Sequence, residues 1–247
     1  MATHVDVTAA EVVADALLTV RGLRAGYGAR EVVYGVDLDV RSGEMVTLLG
    51  HNGAGKTTTL RSIFGLQRPT AGTIVCADGD LTDCTPLDSI SAGVSFTPAD
   101  RFVFGDLAVH ENLALGALRV PGAEVGPRLQ RVFALFPILK ERSAQLAGTM
   151  SGGQQRMLSL GMALMTKPRL MILDEPSLGL SPLLADQVMD TLRRLVDEDG
   201  VSVLLVEQNI AQALRHSDRA YVMRAGEIIL ATSAADLRAR GSWWDLF

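Results

Sequence analysis

Two kinds of apolar run alternate along this chain, and their periods differ. Between residues 16 and 48, "LLTVRGLRA" and "REVVYGVDLDV" are β-branched and alternate apolar with polar positions, separated by the Gly-rich "AGYGA". That pattern predicts antiparallel strands. "MVTLL" (45–49) is a short apolar run, and "KTTTLRSIFGL" after it reads as a helix. "TAGTIVCADG" carries the turn chemistry of a further hairpin. From 106 to 166 the period changes: Ala and Leu recur at helical spacing in "HENLALGALR", "RLQRVFALFPILKERS" and "QQRMLSLGMALMT". Two strands of the buried type follow, "LMILDE" and "VSVLLVE". They flank the amphipathic run "PLLADQVMDTLRRLVDEDG", which ends on Gly200 as a helix C-cap. "RAYVMRAGEIILATSAADLRAR" reads as a hairpin turned at Ala-Gly and then a short helix.

Strand–helix–strand order with continuous apolar strands predicts a parallel sheet covered on both faces. The expected class is α/β, with an N-terminal antiparallel β part and a helical insertion over about 100–165. One domain spans residues 16–240. Residues 1–15 form an N-terminal extension, read as solvated, and 241–247 an aromatic tail, "SWWDLF" with its preceding Gly.

Composition narrows the function more than the fold. The formal net charge of −5 argues against a nucleic-acid partner held by overall charge. The two cysteines, Cys76 and Cys84, suit a small core residue and a loop thiol rather than a disulfide or metal framework, which fits a reducing compartment. No apolar run approaches the about 20 residues a spanning helix needs, and the first residues lack the basic and apolar regions of a signal peptide. Work at a membrane would therefore go through another protein.

Three segments carry chemistry. "GHNGAGKTT" fits G-x-x-x-x-G-K-[ST] between a predicted strand and a predicted helix, the context a phosphate loop requires. Gly50, His51, Asn52, Gly53, Ala54 and Gly55 would wrap phosphates with backbone N–H groups. Lys56 would reach the β- and γ-phosphates, and the hydroxyl of Thr57, followed by Thr58, would hold Mg²⁺. In "RLMILDEPS", Asp174 ends an apolar strand where it could bind a metal-bound water, and Glu175 next to it could act as general base toward an attacking water. "AGTMSGGQQR" opens a helix: Ser151 is an N-cap, Gln154 completes a capping box, and Gly152 and Gly153 leave N–H groups facing outward, a second anion site.

These motifs in this order resemble the nucleotide-binding subunit of an ABC transporter, over residues 16–240. The resemblance implies the ABC ATPase fold, ATP and Mg²⁺ as cofactors, and two cassettes packed head to tail around the nucleotide. Ser151, Gly152, Gly153 and Gln154 would then serve ATP held by the partner cassette. Tyr27 falls where the family places an aromatic on adenine, the rival reading being a core tyrosine. Pro176 and Ser177 open "SLGLSP", which matches the loop that meets the partner. "AGTMSGGQQRML", "LDEPSLGLSP", "LLVEQNIAQAL" and "FTPADRFVFGDLAVHENL" are similar to the second ATPase of uptake systems for branched-chain amino acids. That implies transmembrane permease subunits, a second ATPase subunit or a second copy of this chain, an extracytoplasmic substrate-binding protein, and a peripheral place on the cytoplasmic face of the membrane. Solutes related to the branched-chain amino acids, such as urea or amides, fit the same resemblance. The alternative class is a regulatory or soluble ATP-binding protein without a transport role.

The sequence also departs from the family. Ala99 stands in "FTPAD" where a side chain able to contact Mg²⁺ is usual, with Asp100 beside it as a candidate substitute. Gln208 occupies the place of the usual γ-phosphate-contacting His, as in the resembling subfamily. It can donate a hydrogen bond but carries no charge. His216 is expected on the surface. Met162 and Leu180 replace a common Arg and Asp. These departures predict weak turnover by the chain alone and faster turnover with a companion ATPase.

Overall fold

The structure, a computed structural model, describes residues 16–77, 79–100 and 102–240. The expectations for residues 1–15 and 241–247 lie outside them. β1 (Ala16–Tyr27), β2 (Arg30–Arg41), β3 (Met45–Leu49), α1 (Lys56–Ile63), β4 (Pro69–Cys76) and β5 (Gly79–Asp80) follow in order. β1 and β2 form the antiparallel hairpin that the alternating pattern predicts. The "TAGTIVCADG" hairpin is present as β4–β5, joined through Val75–Asp80 and Cys76–Gly79. The longer ladder of β4, however, is with β1, giving a sheet of order β2-β1-β4-β5. Cys76 is buried and Cys84 half-buried, both as free thiols.

The second sheet is the core. After α2 (Pro86–Ser91) come β6 (Val94–Thr97), four helices, β7 (Leu170–Asp174), β8 (Ser202–Val206), β9 (Arg219–Arg224) and β10 (Glu227–Ser233). Its order is β10-β9-β3-β8-β7-β6. All neighbours run parallel except β10, which returns antiparallel along β9 through the expected hairpin. Every residue of β3, β7 and β8 is buried, which is why their sequences are apolar apart from Thr47, the terminal Asp174 and the leading Ser202. Arg219 on β9 ties the two sheets together: its guanidinium sits 2.8 Å from Asp39 of β2 and 2.5 Å from Glu44 at the start of β3.

The helical insertion comprises α3 (Val109–Gly116), α4 (Gly122–Leu135), α5 (Pro137–Glu141) and α6 (Gly152–Met165). The helical pattern in "RLQRVFALFPILKERS" is split in two. Pro137 opens α5, and Phe136 before it takes φ −130° and ψ 75°, off the helical region as a residue before proline tends to be. α6 packs with α7 (Pro182–Asp199) over one face of the sheet, in a core that includes Leu158, Leu160, Val188, Leu192 and Leu195. Each such leucine contributes about 1.5–3 kcal/mol by leaving water. Gly200, at φ 66°, caps the C-terminal end of α7 as its sequence predicts, and Ser181 caps the other end.

α8 (Ile210–His216) and α9 (Ala234–Ala239) complete the fold. His216 is not a surface residue. It lies on the face of α8 that also buries Gln212, one turn back. There its Nε2 sits 3.0 Å from the Asp190 carboxylate of α7 and its Nδ1 2.9 Å from the Gln212 carbonyl. No helix among the described residues is long and apolar enough to cross a membrane.

Candidate functional site

Open parallel sheets gather ligands beyond the C-terminal ends of their strands, and here three of those ends meet. β3 delivers the loop Gly50–Gly55, β7 ends on Asp174, and β8 runs into Glu207 and Gln208. The loop needs glycine at both ends. A Cβ at Gly50 would lie 2.3 Å from the Met223 carbonyl oxygen. Gly55, the N-cap of α1, has φ 108°, and a Cβ there would meet Met223 Cε at 2.7 Å. No side chain caps α1, so its first amides stay available to an anion.

Lys56 closes back over this loop, donating to the carbonyls of Gly50 at 2.6 Å and His51 at 3.0 Å. Burial lowers its pKa, opposed by the charges of Glu175 and Asp174. Asp174 is 3% exposed. Burial raises its pKa, a hydrogen bond from Thr57 lowers it, and the charge of Glu175 raises it further. A buried carboxylate short of compensating charge, joined to a hydroxyl, is the oxygen pair that a hard divalent cation suits. The residues present thus fit Mg²⁺, with Thr57 and Asp174 as the side chains that could hold it.

Glu175 has φ 50°, in the left-handed region, a conformation costing a non-glycine residue about 1–3 kcal/mol. Its amide donates to the Val206 carbonyl at 2.9 Å, and its carboxylate accepts from Gln208 Nε2 at 2.8 Å. A cleft of about 350 Å³ results, lined by Asn52, Gly53, Lys56, Thr57, Glu175 and Gln208 among others. It is polar, open and placed where an anion would meet the α1 N-terminus. A larger hollow of about 510 Å³ lies between α4 and the C-terminal end of α7, around Arg128, Leu164 and Leu195, and shares no residue with the cleft.

Other sequence-selected residues stand apart from this cleft. Tyr27 ends β1 and is 48% exposed, which excludes a core role, and it does not line the cleft. Ser151 and Gln154 form the expected capping box on α6: Gln154 N donates to Ser151 Oγ at 3.4 Å, and Ser151 N to Gln154 Oε1 at 3.0 Å. That end of α6 is absent from the cleft lining, so this chain brings one glycine segment to its carboxylates and not the other. Asp100 is exposed and also absent from the lining. Met162 and Leu180 are partly buried against the apolar core.

Two polar residues escape a motif reading. Arg156 on α6 is 1% exposed and donates to the carbonyl of Pro98 at 2.8 Å and to that of Ala99. The segment that carries Ala99 is thus held by its backbone. Glu207 is 3% exposed and accepts from Ser177 N and Ser177 Oγ, each at 2.8 Å, and from Gln208 N at 3.2 Å. Burial raises its pKa, those hydrogen bonds lower it, and the charge of Glu175 raises it. The available signal was a charge set inside or directly after an apolar run, "QQRMLSL" and "VSVLLVE".

Known proteins resemble this chain in sequence and in fold. Residues 33–178 match the family model for the ABC transporter. Among curated proteins, a high-affinity branched-chain amino acid transport ATP-binding protein of Pseudomonas aeruginosa is 43% identical, covering 85% of this chain and 90% of its own length. A probable branched-chain amino acid transport ATP-binding protein of Archaeoglobus fulgidus is 36% identical over 87% and 91%. The solved structure of an ATP-binding subunit of an ABC transporter superposes with TM-score 0.80 at 30% identity, covering 93% of this chain and 96% of that one. An ATP-binding cassette in its ADP conformation superposes with TM-score 0.79 at 25% identity, over 88% and 91%. With the fold, the phosphate loop and these likenesses together, the chain belongs to the ABC transporter family, as a subunit that binds and hydrolyses ATP.

Proposed function

We propose that this chain is the ATPase motor of an importer for branched-chain amino acids or related small organic solutes, acting at the cytoplasmic face of the membrane. The observation that carries the reading is the convergence of Lys56, Thr57, Asp174, Glu175 and Gln208 on one site next to an uncapped helix N-terminus. The transport ATP-binding relatives weigh for this reading over a soluble or regulatory ATP-binding role.

The backbone of Gly50–Gly55 and the first amides of α1 would cradle the phosphates, while Lys56 exchanges its loop carbonyls for the β- and γ-phosphate oxygens. Mg²⁺, held by Thr57 and Asp174, would neutralise charge on the phosphates. Glu175 takes the proton of the attacking water as general base. Gln208, already bonded to that carboxylate, orients it and offers its amide to the γ-phosphate. Tyr27, exposed at the end of β1, is free to stack on the adenine.

Ser151, Gly152, Gly153 and Gln154 lie off the chain's own cleft, which supports a role toward ATP held by a second cassette. That cassette is a second ATPase subunit or another copy of this chain. Transmembrane permease subunits would receive the motion through the 99–110 segment and the helical insertion, and a separate substrate-binding protein would supply the solute.

The test is the assembly state of Glu175→Gln with ATP and Mg²⁺, by size-exclusion chromatography with light scattering, alone and mixed with a companion ATPase. Removing the base should trap a nucleotide-sandwiched dimer. A dimer of the chain alone would mean that both composite sites are built from it. A dimer only in the mixture would make it half of a heterodimeric motor. Monomers under both conditions would overturn the composite-site reading.

A further inference from the structure

Glu207 is a buried carboxylate with no assigned task. Among the described residues it forms no ion pair with Lys, Arg or His within 4.0 Å. Its position therefore serves something other than charge pairing. Burying a carboxylate without a cation is costly, and its hydrogen bonds from Ser177 and Gln208 offset part of that cost.

The segments following β7 and β8 are joined at three successive points. Glu175 N donates to the Val206 carbonyl at 2.9 Å. Ser177 N and Oγ both donate to the Glu207 carboxylate at 2.8 Å. Gln208 Nε2 donates to the Glu175 carboxylate at 2.8 Å. The last two links are staggered: 207 grips 177 while 208 grips 175. Between these grips lies the tight turn closed by Leu178 N donating to the Glu175 carbonyl at 3.1 Å.

That turn contains the left-handed Glu175. A strained φ persists only while its surroundings over-determine it. Val206 and Gln208 hold Glu175 itself, and Glu207 is the side chain that fixes the downstream half of the turn. Without it, the turn is free to relax and the Glu175 carboxylate loses its aim into the cleft. From this geometry we infer that Glu207 is a positioning residue for hydrolysis: its paired bonds to Ser177 lock the turn that presents Glu175. The inference rests on the reading of Glu175 as general base.

The experiment compares steady-state ATP turnover and thermal unfolding of full-length Glu207→Ala, Glu207→Gln, Ser177→Ala, the Glu207→Ala/Ser177→Ala double variant and Glu175→Gln, with the companion ATPase present throughout. Glu207→Ala should lower kcat roughly tenfold or more, part of the about 10²–10⁴-fold that a positioned base contributes, with KM for ATP little changed. Glu207→Gln keeps the shape and one acceptor, and should recover most of kcat. The double variant should lose less than the product of the single losses, because both remove one link.

A folded Glu207→Ala protein with parental kcat would overturn the inference, as would losses that simply multiply or a fall confined to KM. If Glu207→Ala does not fold, Glu207→Gln decides alone: a loss as deep as that of Glu175→Gln would mean that Glu207 handles protons rather than positions. If Glu175→Gln itself leaves kcat intact, the base assignment has failed. If it abolishes turnover while Glu207→Ala does not, only the positioning role has failed.

Discussion

Two helices of this chain open in glycine-rich polar segments, and their ends are finished in opposite ways. α1 starts from Gly55, which has no side chain to cap it, and its first turn holds Lys56, Thr57 and Thr58 with no acid. α6 starts from Ser151 and is closed by its own box with Gln154. Glycine in place of a capping side chain costs a helix only about a few tenths of a kcal/mol, so the open end of α1 keeps its donors available at a small loss of stability. It faces the cleft that holds Glu175 and Gln208. The α6 end is stable without a ligand and lies off that cleft, with spare amides in its first turn for an anion from outside. A glycine-rich helix start is therefore not one device. The capping residue decides whether a side chain of the chain itself already meets one of the first amides or all of them are left to an incoming group.

Lys56→Ala attacks the open end most directly. Its kcat/KM for ATP should fall roughly 10²–10³-fold, as when one preorganised donor to developing charge is removed. Steady-state hydrolysis with the companion ATPase checks this, and a loss under threefold would remove Lys56 from the mechanism. Gly55→Ala asks whether the cradle itself matters. At φ 108° and against Met223, the methyl should cost about 1–3 kcal/mol of strain, read by calorimetry as ATP affinity roughly 5–150-fold weaker.

At the closed end, Ser151→Ala should lose about 1 kcal/mol of stability in denaturant unfolding. The difference between the two ends predicts that this loss is read in the fold of the monomer rather than in its nucleotide affinity. A Ser151→Ala monomer whose ATP affinity drops as far as that of Gly55→Ala would erase the distinction.

The smallest effect is a pH dependence. The pKa of Asp174 is raised above its ordinary 3.8, chiefly by burial. Its stabilising contribution is thus complete below that value and is lost as pH rises through the raised native pKa. Asp174→Asn, without ATP or Mg²⁺, should have a higher Tm than the parent at neutral pH, and the gap should close as pH falls toward 3.8. A lower Tm at neutral pH would show that the carboxylate is well compensated in the free protein. The same variant should lose hydrolysis, because an amide replaces an anionic oxygen at the proposed cation site.

Much of the fold was legible because the two periods are clean. β3, β7 and β8 are buried throughout, so the residues that make them are apolar but for Thr47, Asp174 and Ser202. α7 ends on the Gly200 cap that its sequence announces. β6 was not recognised: "VSFT" is only four residues long and takes its meaning from pairing with β7, far along the chain. The surface expectation for His216 failed for a related reason. Nothing in "QALRHSD" shows that α7 covers this face of α8, and only the packed pair brings Asp190 to the imidazole. Within the site, Lys56, Thr57, Asp174 and Glu175 were legible as local motifs. Glu207 and Arg156 were not, because what they hold is backbone or a hydroxyl 30 to 58 residues away.

By itself, the sequence determined the class of the chain, its phosphate loop, its strand-end carboxylates and a self-capped second glycine segment. Each of these is written in residues within one turn or one strand of each other, where local sterics and hydrogen bonding suffice. Only the tertiary structure decided which of them share a cleft, that Gln208 reaches Glu175, and that Glu207 locks the turn presenting it. Those contacts join loops at the ends of β7 and β8, and the parallel ladder between the two strands sets their distance. Neither loop encodes that spacing.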